Sequence, residues 1–218
     1  SNIEYIIVDG NSTDSTLKII DDHKSIITKW ISEPDKGLYD AMNKGISLAT
    51  GDIISIINSD DIFKNDYVVE AIVKEFDKTN SDMIYGNIEY HNEDGKLVRF
   101  WKSSIFKNKS FKNGWHPPHP SLFIKKEVYN KYGLFDLKFK IAADFDLMLR
   151  FFEVYDVTNT YIDLTTTSML VGGASGQIPG VIKGFREIFT SFNKYKIKPS
   201  HFYIIKRYAF KIQQIISK

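Results

Sequence analysis

The chain contains no cysteine, which excludes a disulfide framework, any thiolate metal centre and a cysteine nucleophile. It also lacks an apolar run near the roughly 20 residues that a spanning helix needs, and no charged-then-apolar leader opens the sequence. These absences predict a chain that works in the cytoplasm and does not cross a membrane. Nor is one charge in large excess, since 29 Lys and Arg face 27 Asp and Glu, interspersed until late in the chain. Phosphate-backbone binding needs clustered, uncompensated cations over a face of the domain, so nucleic acid is not an expected partner. There is no internal repeat and no low-complexity segment. What is present is ordinary for one globular domain plus a small extension: 218 residues, 43% hydrophobic and 26% charged.

The order of apolar runs and breakers gives the fold class. Ile3 to Val8 reads as a strand that stops at Asp9-Gly10, and Asn11-Ser12-Thr13-Asp14 then supplies helix-capping chemistry before Leu17, Ile19 and Ile20. The unit recurs, with Ile26 to Ile31 strand-like, Leu38 to Leu48 helical and Asp52 to Ile57 strand-like again. Such strands, without polar alternation and separated by helices, imply a parallel sheet covered on both faces, with ligands bound beyond the carboxyl ends of its strands. Asp9-Gly10 and Asn58-Ser59-Asp60-Asp61 both lie at such ends.

After a helix from Tyr67 to Phe76 the texture turns antiparallel, with Met83 to His91 and Lys96 to Trp101 flanking Asn92 to Gly95 as a hairpin. His116-Pro117-Pro118-His119-Pro120 is too proline-dense for helix or central strand, and Ser121 to Ile124 resumes as a short strand. Ala142 to Tyr155 reads as a largely buried helix, Thr158 to Val171 as a strand and Gly172 to Gly176 as a mobile loop. Helices near Val181 to Tyr195 and His201 to Ile216 close the chain, so the expected division is a domain over 1–176 and a helical extension over 177–218.

Three polar groups carry candidate chemistry. Asp60 and Asp61 follow a buried strand, and a hard cation such as Mg²⁺ or Mn²⁺ takes one or two carboxylates plus substrate phosphates and water. The competing reading has them cap a helix starting near Asn65. Asp40, Asn43 and Lys44 share a face at i, i+3 and i+4 behind the turn Asp35-Lys36-Gly37, and a helix start with a nearby Lys suits a diphosphate, although a solvated amphipathic face has the same pattern. Asp144 and Asp146 point to different sides of their helix, so that one can face a pocket as a general base while the other caps or pairs with a cation such as Arg150. His119, in the proline-rich loop, reads as a packing or hydrogen-bonding residue.

Taken together, VDGNSTDST (8–16), DKGLYDAMNKGISLATGD (35–52), INSDD (57–61) and AADFDLMLR (142–150) closely resemble the family 2 glycosyltransferases with the GT-A fold. The likeness runs from Ile3 to about Ser175. It implies an α/β, Rossmann-like mixed sheet flanked by helices, with the C-terminal helices added, and an inverting transfer of a sugar from a UDP-, GDP- or dTDP-sugar to a hydroxyl of a saccharide or lipid-linked acceptor in bacterial surface polysaccharide synthesis. It further implies that Asp9 reads the base with Asn11 beside it, that Asp35, Lys36, Gly37, Asp40, Asn43 and Lys44 line the nucleotide and diphosphate, and that Asp144 is the base. The family's Asp-x-Asp appears as Asn58-Ser59-Asp60, so Asp60 inherits the Mn²⁺ or Mg²⁺ while Asn58, with Ser59, keeps a hydrogen bond for the ribose but no charge. The family opens with a further strand and helix carrying a Pro-Thr-Tyr-Asn-like sequence, absent here, from which a fragment or a variant with a depleted nucleotide site and an unprotected sheet position is expected.

No acid follows Glu187, whereas Lys194, Lys196, Lys198, Lys206, Arg207, Lys211 and Lys218 do. Phe202, Ile205, Ala209, Ile212 and Ile216 keep helical spacing, which fits a helix docked on the domain or one lying on an anionic membrane surface at the inner face. Two other functions stay open beside glycosyl transfer. One is a nucleotidyltransferase on a related scaffold, although no Gly-rich basic N-terminal loop is present for a triphosphate; the other is a non-catalytic binding relic.

Overall fold

The structure is a computed structural model that describes residues 2–171 and 178–216. It opens with two strand-helix units: β1 (Ile6–Asp9), α1 (Thr16–Asp22), β2 (Lys29–Ser32) and α2 (Leu38–Leu48). β1 and β2 pair in parallel, Ile6 opposite Lys29 and Asp9 opposite Ser32. The capping segment ends one residue short of the helix, where Asp14 Oδ1 accepts Thr16 N at 2.9 Å. Glu4 ties this unit to the end of α2, accepting Lys29 Nζ and Thr50 N, each at 2.6 Å. Those charge-assisted bonds, Lys29 foremost, hold the Glu4 carboxyl down at about 2.

β3 (Ile53–Ser55), β4 (Asp61–Phe63), α3 (Val68–Thr79), β5 (Met83–His91), β6 (Leu97–Trp101), β7 (Leu122–Lys125), α4 (Lys126–Tyr132), α5 (Ala143–Leu149) and β8 (Asn159–Leu170) follow. β3 was expected beside β1 and β2 in a parallel sheet. It pairs antiparallel with β7 instead, because an apolar run specifies burial on both faces and not the direction of its neighbour. The second sheet runs β3-β7-β5-β8-β4, with β6 on β5. β5 is its spine: β8 runs parallel along it from Met83 to His91, while β7 takes Met83 to Tyr85 and β6 takes Ile88 to His91, both antiparallel. The expected hairpin and the antiparallel second half are therefore present within a mixed sheet.

The core lies where β5 meets α5. Tyr85, Phe111, Phe145, Phe152, Phe192 and Tyr203 are buried there in edge-on and tilted ring contacts, with Phe152 5.6 Å from Tyr85 and 5.7 Å from Phe111 between centroids. The helix predicted over 142–155 changes character within its span, since Arg150–Val154 form a π-helical turn after α5. α6 (Ile178–Lys194) and α7 (Tyr203–Ile216) complete the fold, α6 packing on α5 and α7 on β6 and the short 3₁₀ turn Phe111–Asn113. The basic C-terminal helix thus docks on the domain. No helix among the described residues is long and apolar enough to cross a membrane.

Candidate active site

β1 ends on Asp9, which is 6% exposed and accepts hydrogen bonds from Ser12 N (2.9 Å), Ser12 Oγ and Ser32 Oγ (2.6 Å). These donors, Ser12 and then Ser32, hold its carboxyl below the ordinary Asp range. Ser32 ends β2, so the parallel register brings both strand ends to one edge. Asn11 follows, exposed and in left-handed backbone at φ 70°. Gly10 lies against Asp35: a Cβ there would meet Asp35 Oδ2 at 2.5 Å, so any larger residue would displace that carboxylate.

Asp35 Oδ1 accepts Gly37 N (2.7 Å), and Asp40 Oδ2 accepts Lys36 N (2.9 Å), so two carboxylates hold the turn that opens α2. Gly37 is the N-cap, at φ 114°. Asp40, Asn43 and Lys44 line an open depression of about 370 Å³ with Ile31, Ser47 and Leu48. Their bonds diverge, however. The Asn43 amide donates to Phe135 O and accepts Phe135 N, both at 3.0 Å, while Lys44 pairs with Glu33 at 2.8 Å and donates to Pro34 O at 2.9 Å. Glu33 raises the Lys44 pKa, and Lys36 is the exposed cation at this turn.

The acidic motif does not cap a helix. α3 has Tyr67 as its N-cap, and Asn65 Oδ1 accepts Tyr67 N at 3.0 Å. Asp61 instead opens β4, 4% exposed, while Ser59 and Asp60 are exposed. Asn58 Nδ2 donates to Asp61 Oδ2 at 2.8 Å and Asp61 N to Asn58 O at 3.0 Å. Burial pushes the Asp61 carboxyl up, and the charge of Asp60 adds to this. Asn58 Oδ1 and Asp61 Oδ1 are both buried without a hydrogen-bond partner. Buried polar atoms in folded proteins are normally satisfied. Two orphaned oxygens beside an exposed carboxylate fit a hard divalent cation. No group of three or more His, Asp or Glu suited to a metal occurs among the described residues, so phosphate oxygens or water would have to complete the shell.

Asp144 stands in the first turn of α5, half-buried. Its Oδ1 accepts Phe145 N (2.8 Å) and shares the single proton of the Tyr39 hydroxyl (3.2 Å) with Ile141 O (2.8 Å). Tyr39 thereby joins the first turn of α2 to the first turn of α5. Burial, and then the charge of Asp144, raises the Tyr39 phenol far above its ordinary value, so it stays a donor. Asp146 faces the other way and is fully buried, accepting Ser191 Oγ (2.8 Å), Lys194 Nζ (3.2 Å) and Tyr195 hydroxyl (3.2 Å). Its cation is therefore Lys194 of α6 and not Arg150. Arg150 opens the π-helical turn and donates to Gly133 O and Leu134 O, at 3.0 and 2.6 Å.

Tyr90 of β5 lies within electrostatic reach of two of the acidic groups. Burial raises its phenol, and Asp61 and Asp144 both push it in the same direction while Arg99 opposes them. Carboxylates remote in sequence thus act on one ring. His119 packs edge-on to Phe135, 5.5 Å between centroids, and burial lowers its pKa. Tyr39 and Tyr90 escape a reading by motif, since each sits at an apolar position of its helix or strand and looks like core. The glycine loop at Gly172 to Gly176 lies outside the described residues.

A mixed sheet with helices on its faces and carboxylates gathered at strand and helix ends is the architecture of the GT-A glycosyltransferases. The chain belongs to glycosyl transferase family 2, whose model matches residues 1–134. Over 182 residues it is 26% identical to a PGL/p-HBAD biosynthesis glycosyltransferase of Mycobacterium tuberculosis, covering 81% of this chain and 69% of that one. It is 33% identical over 158 residues to an uncharacterised glycosyltransferase of the same organism, covering 68% and 56%. Among solved structures, S. aureus TarS 1-349 in complex with UDP-GlcNAc superposes with a TM-score of 0.68 at 16% identity, covering 95% of this chain and 64% of that one. The complex of the same protein with UDP gives 0.63, covering 96% and 62%. The chain thus spans less than two thirds of these solved chains.

Proposed function

We propose that this chain transfers a sugar, with inversion, from a nucleotide-diphosphate sugar to a hydroxyl of a saccharide or lipid-linked acceptor at the cytoplasmic side of a membrane. The observation that carries this reading is the Tyr39 bridge, which ties the start of α2 to Asp144. UDP and UDP-GlcNAc bound to TarS favour a uridine donor over a GDP- or dTDP-sugar.

In this mechanism Asp9, with Asn11, Asp35 and Lys36, receives the nucleotide. Asn58, Asp60 and Asp61 would hold Mn²⁺ or Mg²⁺, which when bound supplies positive charge for the diphosphate. Asp144 accepts the proton of the acceptor hydroxyl, whose oxygen attacks the anomeric carbon from the face opposite the nucleotide. The bond from that carbon to the phosphate oxygen breaks, and its electron pair leaves with the nucleoside diphosphate. The Tyr39 hydrogen bond keeps Asp144 oriented, so positioning supplies much of the acceleration.

A thermal-shift panel of nucleotide sugars with Mn²⁺ or Mg²⁺ tests the reading. A metal-dependent rise in melting temperature, lost in Asp60→Ala, is expected. An unchanged response in the variant overturns the assigned ligand, and release of diphosphate in place of nucleoside diphosphate would mark a nucleotidyltransferase.

A further inference from the structure

Three cations gather where α7 crosses β6, and no carboxylate among the described residues pairs with any of them. Arg99 of β6 stacks over the Tyr90 and Trp101 rings, its Cζ 4.6 and 5.0 Å from their centroids; its Nε donates to the neutral Gln214 Oε1 at 2.7 Å and its Nη2 donates to the same oxygen. Arg207 of α7 lies 5.7 Å from the ring of Phe145, the residue after Asp144, and its Nη1 is buried with no hydrogen-bond partner. Lys211 stands one turn further along α7.

The placement is built and not incidental. Gly114, at φ 89°, is where α7 meets the loop before His116, and a Cβ there would come within 2.9 Å of Arg207 N. Lys206 Nζ holds the same contact by donating to Asn113 Oδ1 at 2.8 Å. The three charges disfavour one another: burial and then Arg207 lower the Arg99 pKa, and burial, Arg99 and Arg207 lower that of Lys211. A fold that gathers like charges and leaves a guanidinium nitrogen unpaired is poised for an anion to complete it.

We propose that Arg99, Arg207 and Lys211 form a phosphate subsite for the acceptor, beside the candidate base. This rests on the glycosyltransferase reading and narrows the acceptor to a molecule bearing a phosphate ester. Guanidinium donors match phosphate oxygens, and the rings of Tyr90 and Trp101 keep Arg99 in place, where a phosphate would take over the donors that now share the single neutral Gln214 oxygen.

Trp101 makes the subsite visible to fluorescence. The protein, kept in UDP and Mg²⁺ to fill the donor site, is titrated with inorganic phosphate and, separately, with phosphatidylcholine vesicles with and without phosphatidic acid. A saturable change with phosphate is expected, weakened about tenfold in Arg99→Gln, as loss of one charge-assisted hydrogen-bonding fork implies, and less in the exposed Lys211→Gln. The exposed Lys74→Gln should retain it. A response to phosphatidic acid vesicles at lower phosphate concentration points to a lipid headgroup; equal responses point to a soluble phosphoester. No saturable change, or one that both subsite variants retain, overturns the proposal. The wild-type response to UDP separates the two readings. If UDP binds and phosphate does not, only the subsite fails; if phosphate binding depends on Arg99 while UDP is silent, only the donor reading fails.

Discussion

The β1-β2 unit and the β5-α5 region are held together by different forces. Around β1 and β2 the ties are polar: Glu4 to Lys29 and Thr50, Asp9 to Ser12 and Ser32, Asp35 to Gly37. Ile3, Tyr5, Leu17, Ile19, Ile26 and Trp30 stay exposed there. Around β5 and α5 the ties are rings and aliphatic chains, with Met83, Ile84, Tyr85, Ile88, Leu147 and Phe151 fully buried. Apolar burial contributes most of a domain's stability, whereas polar ends left near solvent remain available to a ligand. The lesson is a division of labour in which the well-packed region carries Asp144 and Tyr90 as fixed points, and the sparsely packed region presents the carboxylates of Asp9, Asp35 and Asp40 at its strand and helix ends.

Substitutions should separate the two regions. The largest effect is expected from Phe152→Ala, which opens a cavity among Tyr85, Phe106 and Phe111 and should cost about 3–5 kcal/mol of unfolding free energy in urea. The variant, while folded, should keep its nucleotide response; a loss below about 1 kcal/mol would mean the core is not where the stability lies. The smallest effect is expected from Glu4→Gln, which tests the polar unit through pH. The Glu4 carboxyl sits at about 2 when folded against an ordinary 4.5, so its contribution is fully present above pH 4.5 and disappears as pH falls toward 2. Its side chain is 17% exposed, and solvent screening limits the gap to about 1 kcal/mol. The stability difference between wild type and variant should therefore be open at pH 7 and close between pH 4.5 and 2. A gap independent of pH would assign the contact to packing.

Much of this organisation was legible in the sequence, for identifiable reasons. α2 matches its predicted span because Gly37, Asp40 and the apolar spacing of Met42 and Ile46 mark both its start and its buried face. The β5-β6 hairpin was legible from the turn residues Asn92 to Gly95. β4 and α4 were not, since Asp61–Phe63 is three residues long and is specified by its pairing with β8, and α4 follows β7 without a breaker. For the site, motifs located the carboxylates but not their partners. Asn43 and Lys44 share a face by spacing, yet Phe135 and Glu33 take up their polar groups, and no local pattern announces contacts that distant. Asp146 likewise chose Lys194, supplied by a helix that follows β8.

The claim on which everything rests is that the motif at Asp60 and the start of α5 face one another across Tyr90. Paramagnetic broadening measures this directly in the full chain: amide spectra are recorded with UDP and Mn²⁺ and compared with UDP and Mg²⁺. The Phe145 amide, bonded to Asp144, and that of Asp61 should both broaden with Mn²⁺, and neither should do so in Asp60→Ala. Broadening at Asp61 that leaves Phe145 sharp would place the two groups in separate sites and contradict the account.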